Sequence, residues 1–142
     1  ELMEMNINDF SPSSSLLEID ELHVENFKHT AHSTKQKIQV KTLDGLQTEL
    51  PLTKPYLVKI DTQGYEDKVI SGGQQVLAGA AVIFIELSYQ SLYKAQTLFD
   101  DIYKELVHLG FQYHGNFEEL LSPVNGAVLQ SDGIFIKREL IK

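Results

Sequence analysis

Tyr56-Leu57-Val58-Lys59-Ile60-Asp61-Thr62-Gln63-Gly64-Tyr65-Glu66-Asp67-Lys68-Val69-Ile70-Ser71-Gly72-Gly73 is the stretch on which the fold turns. Tyr56 to Ile60 is a mostly apolar run closed by an acid, the pattern of a strand covered on both faces. Beyond Gly64, the residues Tyr65, Val69, Gly73, Val76 and Leu77 fall on one face of a helix. Gly72-Gly73 inside that helix costs about 1 kcal/mol per glycine relative to alanine. A close approach of the helix to the sheet would explain why the cost is tolerated. Gly79 is placed to end the helix. A second apolar run, Ala81-Val82-Ile83-Phe84-Ile85-Glu86-Leu87, follows at once. Strand, helix, strand over so short a span implies a parallel pair with a right-handed crossover.

Downstream, Leu98, Ile102, Leu106 and Leu109 are spaced for one helix face, Thr97 and Asp100 have the form of a capping box, and Gly110 closes the segment. Phe111–His114 and Gly133–Lys137 then read as two final strands, joined by a loop holding Pro123 and Asn125-Gly126. Upstream, Ile38, Val40 and Thr42 alternate with Lys37, Gln39 and Lys41, which marks a half-buried strand. Residues 29–36 read as an exposed loop, Leu16 to Leu22 as a short helical piece, and residues 2–7 as a first strand. The expected fold class is α/β with a doubly wound core, parallel strands and an antiparallel final pair.

The chain has 142 residues, 12 basic and 20 acidic side chains, a net charge of −8, and no cysteine. That length suits one domain, residues 1–142. Without cysteine there is no disulfide framework, zinc–thiolate site or thiol nucleophile. The negative charge argues against a nucleic-acid partner. No run approaches the 18 or so apolar residues of a membrane span, so no membrane association and a cytoplasmic location are expected.

In an open α/β sheet, ligands bind beyond the carboxyl ends of the strands. Asp61 and Glu86 each close a strand there, and Glu66 lies in the first turn of the following helix, where the dipole favours a carboxylate. The three acids are expected to converge on one crevice mouth. The residue types allow two chemistries: proton transfer to or from a hydroxyl or amine, or a magnesium ion held through oxygens. Lys59 reads as a partner for a nearby acid, and Tyr89 and Tyr93 as packing or pocket-lining residues. His29 and His32 read as a surface pair.

Leu57-Val58-Lys59-Ile60-Asp61-Thr62-Gln63-Gly64-Tyr65-Glu66 and the residues after it resemble the signature K-I-D-x-E-G-x-E-x-x-V-L-x-G-A of the FkbM family of methyltransferases. Val40–Leu46 is similar to the "T-L-D-x-L" segment before it, Ile83–Leu87 to the following "I-x-x-E" strand, and Gln130–Ile136 to the closing "D-x-x-F" strand. Leu92-Tyr93, Leu109–Phe111 and the serine-rich Ser13–Leu17 also fit in the family's order.

The resemblance implies methyl transfer from S-adenosylmethionine to an oxygen, or as the lesser alternative a nitrogen, of a small-molecule or carbohydrate acceptor. It implies Asp61 as base or orienter beside the cofactor, Glu66 and Glu86 in support, and Gly64 as a tight turn next to the ligand. There are two departures. Gln63 stands where the family pattern has Glu, and no strand–glycine-rich loop–helix unit precedes Leu57. The expectation is therefore a fragment, the C-terminal portion of a Rossmann-like class I methyltransferase domain. The rival expectation is a non-catalytic half-domain that associates, as a homo-oligomer, through an exposed sheet edge. A magnesium-dependent phosphoryl-transfer enzyme lacks its P-loop here.

Overall fold

The computed structural model describes Glu1–Lys142. Its elements are β1 (Leu2–Asn8), α1 (Glu21–Asn26), β2 (Ser33–Gln39), β3 (Leu57–Ile60), α2 (Glu66–Ser71), α3 (Gln74–Gly79), β4 (Val82–Ser88), α4 (Phe99–His108), β5 (Phe111–Leu121) and β6 (Val128–Lys137). Two sheets form: a β1–β2 ribbon and a four-stranded sheet in the order β3-β4-β6-β5.

The parallel pair lies where the apolar runs place it, with Val58 opposite Ile83 and Ile60 opposite Ile85. The rest of the sheet is antiparallel, because β6 pairs with β4 on one side and with β5 on the other. The crossover through α4 thus carries the chain past the place beside β4, and the final hairpin folds β6 back into it. The fold is mixed α/β, with one parallel pair where parallel strands were expected.

The doubly wound core is corrected as well. Along β4, Ile83, Ile85 and Leu87 are fully buried, while Val82, Phe84 and Glu86 are half-buried. They share one cluster with Ile70 of α2, Leu77 of α3, Ile102 and Leu106 of α4, and Phe135 of β6. The helices therefore cover one face, and the apolar run of β4 alternates within it. The other face carries Phe84 packed edge-on against Phe117.

The helix expected after Gly64 is two short helices. Gly72 and Gly73 fall between α2 and α3 rather than inside one helix. A Cβ on Gly73 would lie 2.9 Å from both Leu43 Cδ2 and the Val69 carbonyl oxygen. The close approach is thus to the incoming loop and not to the sheet. Asp44 joins the two, its carboxylate accepting from the Gln75 and Val76 amides at the start of α3. The Thr97 capping box does not form; α4 begins at Phe99 with Leu98 at its N-cap and no side-chain cap bond.

In the N-terminal part, β2 begins at Ser33, inside the expected loop, and runs antiparallel to β1 from Leu2 opposite Gln39 to Asn8 opposite Ser33. The first helix starts at Glu21, capped by the Asp20 carboxylate, rather than spanning Leu16–Leu22. No helix is long and apolar enough to cross a membrane.

Candidate active site

β3 and β4 end side by side, with Ile60 level with Ile85. Asp61 and Glu86 therefore leave adjacent strands at the same height. The chain then makes a left-handed turn, with φ 54° at Gln63 and 96° at Gly64. Glycine takes this conformation freely and glutamine does not, so the turn must be held from outside. Glu66 holds it from one side: its buried carboxylate accepts from the Thr62 amide at 2.9 Å, the Thr62 hydroxyl at 3.1 Å and the Gly64 amide at 3.2 Å. Burial pushes the Glu66 carboxyl upward and these hydrogen bonds oppose the shift. Ser15 holds the turn from the other side, donating to the Gln63 carbonyl at 2.6 Å.

With its backbone pinned, Gln63 directs its amide between the two strand-end acids. Its Nε2 donates to Asp61 Oδ1 at 2.9 Å and to Glu86 Oε2 at 3.1 Å. Its Oε1 accepts from the Tyr93 hydroxyl at 2.8 Å. Tyr93 is fully buried, and burial raises its pKa, so the phenol remains a donor across the physiological range. Gln130 Nε2 donates to Glu86 from the other flank at 2.9 Å and also reaches Ser88 Oγ.

The two acids differ in environment. Burial, reinforced by the negative charges of Asp61 and Glu66, pushes the Glu86 carboxyl up to about 8, with the Gln63 hydrogen bond opposing. Glu86 therefore carries a proton near neutrality. Asp61 is 37% exposed at its side chain and faces Lys59 Nζ at 3.2 Å. The two acids thus sit in unlike surroundings, one exposed beside a lysine and the other buried between the Gln63 and Gln130 amides, the kind of difference that sets two carboxyl groups to separate tasks.

Asp61 and Glu86 are neighbours, yet they open onto different spaces. Asp61, Thr62 and Gln63 stand at the end of a cavity of about 980 Å³ between the ribbon and α2, with Met3, Met5, Ile38, Val40, Leu43 and Tyr65 among its apolar walls. Glu86 lines a smaller cavity of about 260 Å³ with Gln130, Ser131, Asp132, Glu118 and Glu119. Gln63 lies between the two carboxylates. Glu66 does not join them at a shared mouth, since its carboxylate is spent inside the turn. Gly64 is buried against Tyr93 and Leu17: a Cβ there would lie 3.1 Å from Tyr93 Cβ and 3.2 Å from Leu17 Cδ1. Its missing side chain therefore serves packing and the left-handed turn. Tyr89 pairs with Ser131 Oγ at 2.7 Å, away from Asp61. No three His, Asp or Glu side chains are gathered to hold a metal ion.

The sequence marked Gln63 only as a departure from the family's Glu and held Ser15 and Gln130 only within family-like segments, without a role for any of the three, and it showed Tyr93 only as a packing or pocket-lining residue. The one local signal is Gln-Gly directly after a strand-closing acid, a pair suited to a left-handed turn. The partners of Gln63 lie too far along the chain for spacing to show.

A family model described as the methyltransferase FkbM domain matches residues 4–113, from β1 into β5. No curated protein and no solved structure matches the chain. The matched span contains the Asp61–Glu66 turn, Glu86 and Tyr93 and more than half of the chain: this protein belongs to the FkbM methyltransferase family.

Proposed function

We propose that this chain forms the acceptor side of a Rossmann-like, S-adenosylmethionine-dependent methyltransferase acting on an oxygen of a small-molecule or carbohydrate acceptor. The observation that carries the reading is Asp61: a half-exposed carboxylate at a strand end, at the head of a large cavity, beside a protonated neighbour. On this reading the Asp61 carboxylate would accept the proton of an acceptor hydroxyl seated at the cavity. Lys59 and the Gln63 amide keep that carboxylate in place.

The residues of this chain do not by themselves fit the cofactor that the family implies. The β3–α2 turn has no free cradle of amides, because Thr62 N and Gly64 N both point to Glu66 and Gly64 is packed under Tyr93. On this reading the remaining cofactor contacts come from another stretch of polypeptide. The outer edge of β3 is unpaired, and Leu57 on it is 59% exposed, which suits an added strand. The same edge favours the second reading, a non-catalytic module that associates with another copy through the sheet edge.

The test is transfer of labelled methyl from S-adenosylmethionine to a panel of hydroxylated small molecules and sugars, using the natural polypeptide that contains these residues. Asp61→Asn is expected to lower turnover about 100-fold or more with the fold intact. Unchanged turnover would remove Asp61 from the chemistry. Calorimetric titration of residues 1–142 alone with S-adenosylhomocysteine is expected to show weak or no binding. Tight binding would overturn the division between an acceptor side and a separate cofactor side.

A further inference from the structure

We infer that Gln63 is a positioning residue of this site, whose amide, clamped by Tyr93, fixes the Asp61 and Glu86 carboxyl groups relative to one another. The inference rests on the methyl-transfer reading for what the acids do, and on geometry alone for how they are held.

A turn residue and nothing more would be better served by glycine, since φ at Gln63 is 54°. The left-handed backbone is instead occupied by a side chain whose polar atoms are all engaged. Oε1 takes the Tyr93 proton at 2.8 Å, and this orients the amide so that Nε2 faces the acids. Nε2 then reaches one oxygen of Asp61 and both of Glu86, at 2.9, 3.1 and 3.3 Å. Two carboxylates at adjacent strand ends repel, and a donor shared between them offsets that repulsion without adding a charge.

The groups facing Glu86 leave few substitutes for this donor. β3 presents Lys59 and Asp61, and the turn into α2 presents Glu66. Tyr93 comes from the loop after β4 and Asp132 from β6. β5 places Glu118 and Glu119 around the same cavity. Lys59 is the single cation among them, and it is paired with Asp61 at 3.2 Å. Gln63 and Gln130 are thus the neutral side-chain donors that meet the Glu86 carboxyl.

The experiment is a carbon-13 NMR titration of labelled Glu and Asp carboxyls in the wild-type chain, Gln63→Gly and Tyr93→Phe, with thermal melting of each. Gln63→Gly removes the amide but suits the left-handed backbone, so it is expected to melt no lower than wild type. Its Glu86 midpoint is expected to move upward by roughly half a pH unit or more, because a hydrogen bond that favours the charged form is gone. Tyr93→Phe unclamps the amide and is expected to move Glu86 the same way by less. A folded Gln63→Gly chain with an unmoved Glu86 midpoint would overturn the inference. Should Gln63→Gly not fold, Gln63→Asn tolerates the same φ and its shorter amide falls short of Glu86. The same upward shift is expected of it, and its absence is equally decisive. The readout needs no turnover, so a shifted Glu86 in a chain that transfers no methyl supports the inference and removes only the functional reading.

Discussion

Residues 57–137 and residues 1–56 hold themselves together by different means. The sheet half closes over Ile60, Ile83, Ile85, Leu87, Ile102, Leu106 and Phe135, all essentially without solvent contact. The ribbon half buries far less. β2 has six exposed residues and one half-buried residue, and the interior of this half is built from polar joints. Asn8 is buried and donates to the Thr30 carbonyl and to Ser33 Oγ, while Asn6 donates to the Leu17 carbonyl. Apolar burial is additive and non-directional, whereas each of these hydrogen bonds contributes only about 1 kcal/mol net. One half is therefore stable through bulk and the other through placement. The site lies on the seam, with Asp61 and Glu86 supplied by the sheet and Ser15 by the ribbon side.

The sharpest way to break the contrast is to cut into the bulk. Phe135 is fully buried on β6 opposite Ile83 and touches the rings of Tyr103 and Tyr113. Phe135→Ala is expected to cost about 3–5 kcal/mol, read from chemical denaturation with one cooperative transition. A cost below about 1 kcal/mol would mean that the sheet does not carry the fold.

This contrast also decides what the sequence could reveal. β4 was legible because burial writes an apolar run into a strand; β3 was found from the same pattern but is an edge strand with Leu57 and Lys59 exposed, not one covered on both faces. β2 was not legible, because Ser33-Thr34-Lys35-Gln36-Lys37 meets β1 through its backbone and leaves its side chains in water. Its alternation begins only at Ile38, which is why the strand reads as starting late. The broken helix was missed for a related reason. Periodicity records which face is buried, and α2 and α3 bury compatible faces, so nothing in the pattern marks the interruption except the glycines. At the site, the acids were legible from their strand ends, but the residue that joins them was not. The role of Gln63 exists only once the turn is left-handed and Tyr93, thirty positions on, has packed beneath it.

A second test bears on the seam itself. Glu86 has its pKa raised from 4.5 to about 8 in the folded chain. A carboxyl whose folded pKa is raised contributes stability that is fully present below about 4.5 and is lost as pH rises through about 8. Over that window the loss is on the order of a few kcal/mol. Glu66 and Asp132 are shifted in the same direction by burial and add to the slope. Between pH 5 and pH 8.5, denaturation midpoints are expected to fall for wild type and to fall less for Glu86→Gln, which is neutral at both. Parallel slopes for the two chains would show that Glu86 is ionised throughout, and would remove the protonated carboxyl from the site.

The smallest expected effect discriminates best between one cooperative body and two. Ser15 is 1% exposed, donates to the Gln63 carbonyl at 2.6 Å and accepts from the Leu17 amide at 3.0 Å. Ser15→Ala removes both bonds and leaves no large void, so about 1 kcal/mol is expected. The informative quantity is where that cost falls. If placement holds the ribbon, native-state hydrogen exchange should quicken at the β1 amides and at Leu17, with Ile83 and Ile85 in β4 unchanged. Equal quickening in β4 would mean that the ribbon and sheet open together. The polar joints would then share in global stability, and the seam under Gln63 would be as rigid as the core beside it.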